Sequence, residues 1–592
     1  MSNVSGQSPS HLSWWIPGLD VARTYTAGLF QGDFVAGLVL VAMLVPQGMA
    51  YAELAGLPPV TGLYATMIPL IAYAVFGPSR ILILGPDSAL APVVAAAIIP
   101  IAGTNQSERM ALAAVLAIMV GVLHIAGGIA GFGFITDLIS RPVRLGYLAG
   151  IAVSVIASQL PRLLGFSVDA NDLFGRLTGL GHEIGQFELT AAVFGLGTFA
   201  AILGLRRVQT RIPAALIAVV VALLASRWLD LDVETVGQLP EGLPSLVVPN
   251  PDAAEMGRLA LSAVAIALIA FADTSVLSRS YASRAGKDVD QNRELRALGI
   301  ANLANGLFQG FPVSSSSSRT PVAEAAGAKT QVTGLVSAVG LGCVLVFASG
   351  LFGDLPVAVL SAIVVAAVLG LIDVRGLMRL WQVHRPDFVL AVASFVGVAA
   401  FGVLWGVGIA IGLSILAFLW RSWHPYDAVL GRSPGVKGYH DITRYPDALQ
   451  IPGLVLFRFD APLFFANSGV FRSRLQAAVG QRDAQVFRVV VAAEPITDLD
   501  STAADMLNEL DKALEAEGIE LAFAEMKDPV KDTLRRFGLV EKLGQARFFP
   551  TIGVAVRSFV EEFDVAWVDW EDEVEELSES GEFSGESPSH SI

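Results

Sequence analysis

The sequence predicts a polytopic α-helical membrane protein with a separate α/β domain towards its C-terminal end, and three observations predict it. Of the 592 residues, 54% are hydrophobic and only 16% are charged, an excess that no soluble domain of this size needs. Between Phe34 and Trp420 the apolar runs have roughly the 17 to 25 residues of a bilayer-crossing helix and number about 14. After Arg421 the pattern changes to short β-rich runs alternating with helical ones.

Taken in order, MSNVSGQSPSHLSWW lacks the basic-then-apolar layout of a cleaved signal. Residues 1–30 therefore read as a cytoplasmic segment, and the first span as its own insertion signal. The membrane region runs over 31–425, in halves of about 31–228 and 256–425. Its spans begin near Phe34, Pro58, Pro86, Met110, Val143, Glu188 and Ile212, then near Arg258, Arg293, Arg319, Val332, Pro356, Asp387 and Phe401. With the N-terminus inside, Arg80, Arg141, Arg144, Arg206, Arg207, Arg211, Arg279, Arg284, Lys287, Arg375, Arg379, Arg385 and Arg421 all fall on the cytoplasmic side. That asymmetry obeys the positive-inside rule and implies an even span count with both termini cytoplasmic, in a cell (inner) membrane.

One stretch does not fit a continuous helix. GFPVSSSSSRTPVAEAAGAK, from Gly310 to Lys329, carries Pro312, five serines and Arg319 where a span belongs. Lipid cannot satisfy an irregular backbone, so such a break must be buried in protein or line a watery cavity. GPDSALAP, from Gly85, is a second interruption, and its offset to Phe311 is 226 residues (85 to 311). The first spans of the halves are offset by 224 (34 to 258). Seven spans is an odd number, so the repeat is inverted, and paired broken helices in inverted halves point to a transporter site at the midplane.

Beyond the membrane, LVLFRFD, FRVVVAA and IELAFAE alternate with SGVFRSRLQAAV, STAADMLNELDKALEAEG and DPVKDTLRRFG. A domain over 437–567 has enough chain to bury a core. Residues 568–592 are acidic, serine-rich and poor in apolar residues, which predicts disorder. The net charge of −15 lies largely in this last quarter and argues against nucleic acid. The single cysteine, Cys343, excludes an intramolecular disulfide and reads as a packed thiol. Seven scattered histidines offer no metal spacing. With no P-loop or nucleophile elbow either, neither a cofactor nor an enzymatic activity is expected.

Several motifs together resemble one family. VPQGMAYAELAGLPP (Val45–Pro59), FGPSR (Phe76–Arg80), FADTSVLSRSYASRAGKDVDQNREL (Phe271–Leu295) and SSRTPVAEAAGAKTQVTG (Ser317–Gly334) are similar to the signatures of the SulP sulfate-permease family. The C-terminal domain resembles that family's STAS domain. The resemblance implies seven-plus-seven inverted repeats forming core and gate domains, a homodimeric assembly, and an anion held between two half-helices. Here these start near Pro86 and Ser318.

By that resemblance Ser318 and Arg319 are the anion-contacting pair, Ser317 and its preceding serines are weaker candidates, and Gln47 and Tyr51 face the same cavity. Helix N-termini carry unpaired N–H groups and about half a positive charge each, which suits an anion. Arg319 adds a permanent charged fork. Pro86 and Asp87, at the start of the first half-helix, belong to the expected substrate site, and an acid there also caps the helix. Asp273 lies within an apolar run, where an ionised carboxylate needs a function or a partner. Two aspartates, one arginine and two helix ends sum to near neutrality, so a proton or sodium ion at Asp273 should be needed to favour an anion. Thr274 and Ser275 are the candidate sodium neighbours. In the STAS domain, ITDLDSTAADML places Ser501 and Thr502 at a helix start, where soluble relatives are phosphorylated; Ala503 stands where their pattern has glycine.

The expected function is secondary active transport of sulfate or bicarbonate. A C4-dicarboxylate carrier of the same fold, an anion channel and a STAS-linked membrane sensor are the alternatives.

Overall fold

Apolar runs fold as helices in lipid because only a helix pairs all its backbone groups within one segment. The computed structural model describes residues 16–134, 140–168, 173–207, 214–229, 233–237, 242–250, 252–286, 288–316, 318–482 and 484–567. Residues 1–15, half of the expected N-terminal segment, and the whole acidic tail lie outside these. The chain divides into two units at Ile415 and Leu416.

After a short α1 (Gly18–Thr24), the first unit contains α2 (Ala27–Leu54), α3 (Pro59–Phe76), β1 (Leu84–Gly85), α4 (Ala91–Ala102), α5 (Gln106–Ala130), α6 (Arg141–Leu163), α7 (Leu173–Glu183), α8 (Leu189–Arg207) and α9 (Ala214–Leu229). It continues with α10 (Ala253–Arg284), α11 (Gln291–Leu307), β2 (Ser314–Ser315), α12 (Arg319–Ala325), α13 (Val332–Phe347), α14 (Val357–Val368), α15 (Val374–Val383), α16 (Arg385–Phe401) and α17 (Val403–Trp423), the last crossing into the second unit. Each of the expected spans has its own helix. Among the described residues six stretches are long and apolar enough to cross a membrane alone, including α2, α5, α6 and α10.

Two packing groups emerge. Helix α2 packs on α3 and α13, α5 on α10 and α11, and α4 on α10, whereas α6 packs on α8, α14 and α16. Small residues permit the closest crossing: a Cβ on Gly62 would lie 1.8 Å from the Gly48 carbonyl oxygen, so α2 and α3 meet backbone to backbone.

The two interruptions meet. β1 and β2 pair antiparallel, Leu84 opposite Ser315 and Gly85 opposite Ser314, and such a pair has the local two-fold symmetry that inverted halves require. The unwound Phe311–Val313 segment is held by amide side chains of α11. Asn302 accepts from the Val313 N–H at 2.8 Å and donates to its carbonyl at 3.1 Å, and Asn305 donates to the Phe311 carbonyl at 2.6 Å. The break thus leaves few backbone groups unpaired.

Asp33 of α2, fully buried, fixes the far side of this break. Its carboxylate accepts from the Lys329 and Thr330 N–H groups at 2.7 and 3.0 Å and from the hydroxyls of Thr330, Thr333 and Tyr25 at 2.6, 2.9 and 3.2 Å. Asp33→Ala strands the buried Thr330 N–H, at roughly 1–3 kcal/mol, and the part-buried Lys329 N–H at less. A clear fall in the melting temperature of the purified protein is expected, with Asp33→Asn losing less. Unchanged melting would show that the carboxylate does not carry this joint.

Cys343 differs from expectation. It is exposed on α13, because an apolar run in a membrane helix is compatible with a lipid-facing surface as well as with a packed one.

The second unit contains β3 (Asp427–Arg432), β4 (Tyr439–Asp441), β5 (Leu454–Phe459), α18 (Ser468–Gly480), β6 (Arg488–Ala492), α19 (Ser501–Ala516), β7 (Glu520–Ala524), α20 (Asp528–Arg536), α21 (Leu539–Leu543), β8 (Phe548–Phe549) and α22 (Ile552–Phe563). The sheet order is β4-β3-β5-β6-β7-β8, parallel from β5 to β8, with β3 antiparallel to both neighbours. It starts at Asp427, ahead of the expected Lys437. Alternate residues of β6 feed different layers: Val489 and Val491 pack with Phe471 and Leu507, Val490 and Ala492 with Val556 and Phe559. Burial on both faces explains the unbroken apolar run in β6.

Candidate functional site

A cavity of about 640 Å³ lies in the first unit where the broken segments meet. Gln47 and Tyr51 of α2 line it, with Asp87, Ser88 and Ala89 before α4, Asp273 of α10, and Ser315, Ser316 and Ser318.

Local chemistry sets both starts. Before α4 the chain turns at Ser88, since the Ala91 N–H already donates to the Asp87 carbonyl at 3.0 Å, a few residues beyond Pro86. The Asp87 carboxylate accepts from the Ala89 N–H at 3.4 Å. On the other side α12 begins at Arg319 after Ser318, as expected. Its first donors are held by Ser316, whose hydroxyl accepts from the Ser318 and Arg319 N–H groups at 3.4 and 3.3 Å. The Ser316 and Ser318 hydroxyl oxygens are 3.0 Å apart. Ser317 lies outside the described residues.

Among the described residues Arg319 is the largest fully buried side chain, 1% exposed. Its guanidinium packs against β1: a Cβ on Gly85, where φ is +154°, would be 2.6 Å from Nη1. Nε and Nη2 have no hydrogen-bond partner among the described residues. Asp87 interacts with it electrostatically. Arg319 does not itself line the cavity; it stands behind the wall made by Asp87 to Ala89 and the serines. Gln47 brings a second buried and unbonded atom, Oε1.

The three acidic-side candidates separate. Asp273 lines the cavity and interacts with Asp87 and Arg144. Thr274 is buried away from it: its hydroxyl donates to the Ala270 carbonyl at 2.8 Å and accepts from the Ser315 N–H at 3.2 Å, pinning β2 to α10. Ser275 is likewise buried and does not line the cavity. In the second unit Ser501 and Thr502 are exposed at the start of α19. Asp500 caps that helix, accepting from the Ala503 N–H at 2.8 Å.

Two charged lining residues were missed from the sequence: Arg144 of α6 and Asp373 before α15. Arg144 counted only as a positive-inside marker. Asp373 precedes a helix and could have been read as its cap.

Inverted broken helices meeting at a serine-lined, arginine-backed cavity, with an α/β domain following, define an anion transporter of the membrane, not an enzyme. Residues 30–394 match the model of the Sulfate permease family and residues 445–555 that of the STAS domain. The chain belongs to the sulfate permease family.

It is 41% identical over 548 residues to a Mycobacterium tuberculosis protein named "Probable sulfate transporter", covering 92% of this chain and 98% of that one. It is 32% identical to "Sulfate transporter 4.1, chloroplastic" of Arabidopsis thaliana, over 90% and 81% of the two chains. Among solved structures, murine Solute Carrier 26 family member A9 in an inward-facing state superposes with a TM-score of 0.85 at 22% identity, over 94% and 96% of the chains. The transmembrane domain of the cyanobacterial bicarbonate transporter BicA gives 0.58 at 24%, over 66% and 98%. These two structures support the fold.

Proposed function

We propose that this protein carries out secondary active transport of an oxyanion, sulfate before bicarbonate, by symport with a cation bound at Asp273. The observation that carries this reading is the buried guanidinium of Arg319 with Nε and Nη2 unbonded beside the cavity wall. Even with Asp87 in electrostatic reach, leaving donors of a buried charged group unbonded costs free energy, and an anion at the serine wall, within the field of that charge, offsets the cost. Ser88, Ser315, Ser316 and Ser318 supply hydroxyls, Gln47 an amide and Tyr51 an aromatic wall. Sulfate is favoured because the relatives matched over most of their length carry that name.

Coupling follows from charge. Asp87 and Asp273 set −2 against the +1 of Arg319 and about +1 from the helix ends, and Arg144 and Asp373 cancel. A cation at Asp273 tips the site positive. Because the Thr274 hydroxyl is already committed to backbone partners, a proton fits better than sodium. In the same reading the halves 31–228 and 256–425 alternate access in a homodimer of the inner membrane, with both termini cytoplasmic. The exposed Ser501 and Thr502 would be regulatory.

The test is flux of labelled sulfate, bicarbonate and fumarate into proteoliposomes under imposed proton or sodium gradients. Proton-driven accumulation of sulfate is expected. Accumulation of fumarate alone would make the protein a dicarboxylate carrier, and flux insensitive to both gradients would make it a channel.

A further inference from the structure

The cavity has two walls that belong to different packing groups. Asp87, the serines and Asp273 come from β1–α4, β2–α12 and α10. The other wall is built by Leu145 and Leu148 of α6, Ile202 of α8, and Ala367, Leu371 and Asp373 around α14 and α15. That second wall is apolar apart from Arg144 and Asp373. The Asp373 carboxylate is occupied as the cap of α15, accepting from the Gly376 N–H at 2.8 Å. Arg144 is different: it is half-buried, and no described residue forms a hydrogen bond or salt bridge with its guanidinium. It therefore presents a charged fork to the cavity from a wall that otherwise offers an anion nothing.

We propose that Arg144 is a substrate-contacting residue, the one hold that the α6 wall has on a divalent oxyanion seated at the serine wall. The bound anion then bridges the two packing groups, with Arg319 acting from behind one wall and Arg144 directly from the other. A fork at this position suits two oxygens of a sulfate-like anion. Neither wall alone encloses the charge, so occupancy of the site is linked to the approach of α6 towards α10. This inference rests on the anion-transport reading above.

The experiment measures equilibrium binding of sulfate and bicarbonate to the purified full-length protein by isothermal titration calorimetry, alongside proteoliposome uptake. Arg144→Gln is expected to weaken sulfate binding roughly tenfold or more, with bicarbonate losing less because it carries one charge fewer. Arg144→Lys, which keeps charge but not the fork, should fall between. Arg80→Gln, an exposed arginine outside this cavity, should match the unaltered protein. Sulfate affinity of Arg144→Gln within about twofold of the unaltered protein, or equal losses for both anions, overturns the proposal. If the unaltered protein binds none of the anions, the functional reading has failed and not the assignment of Arg144.

Discussion

Asp273→Asn is expected to keep anion binding and to abolish uphill uptake. The exchange is nearly isosteric and fixes the side chain in a neutral state, so the cavity keeps its shape while losing the group whose charge a cation cancels in the proposed coupling. At separations on the order of 10 Å and an effective dielectric near 20, removing one negative charge relieves about 3 kcal/mol of repulsion on a bound dianion. Sulfate should therefore bind the variant as tightly as the unaltered protein or up to about 100-fold tighter. Exchange of labelled for unlabelled sulfate across the proteoliposome membrane should continue. Accumulation driven by a proton gradient should vanish, since binding no longer depends on the proton. Calorimetry and flux on the same preparation read both halves of this expectation. Persisting accumulation would remove Asp273 from the coupling step, and loss of binding would make it an anion-site residue instead.

The sequence showed the membrane unit in detail because length and apolarity alone decide a span, and each expected span has a helix near the expected start. The paired breaks were legible for the same reason: Pro312 and the serines cannot continue a lipid-exposed helix. What composition could not tell was which neighbours rescue the break. That Asn302 and Asn305 hold Phe311 to Val313, and that Asp33 gathers donors from the Lys329–Thr333 segment, depends on contacts nearly 300 residues apart in the second case. Direction was also hidden. Arg319 reads as a cavity cation, yet its fork lies against Gly85 behind the wall. Arg144 reads as a loop charge, yet it lines the cavity. Thr274, next to Asp273 in sequence, faces away because neighbours on a helix are about 100° apart. In the STAS domain β3 and β4 were missed, being short and flanked by polar turns, whereas the buried strands β5, β6 and β7 stood out.

Arg319 and Asp87 allow a sharper separation of structure from recognition. Arg319→Gln removes a buried positive charge that acts on the anion from behind the wall; at a separation on the order of 10 Å and an effective dielectric near 20 its attraction for a dianion is about 3 kcal/mol, so sulfate affinity should fall on the order of 100-fold. It also strips the half-buried Asp87 of its counter-charge. The single variant should thus be less stable as well as weaker in binding. Adding Asp87→Asn removes the stranded carboxylate, and the double variant should regain thermal stability. Binding need not follow, because no cation has been restored behind the serine wall. The expected outcome is a double-mutant cycle with a favourable coupling in melting temperature and a lasting deficit in sulfate affinity. Recovery of both would mean that Arg319 serves only as the partner of Asp87, so that the anion is held by hydroxyls, helix ends and Arg144. Recovery of neither would mean that the two side chains act independently, with the guanidinium's stabilising contacts confined to Gly85 and the strand pair around it.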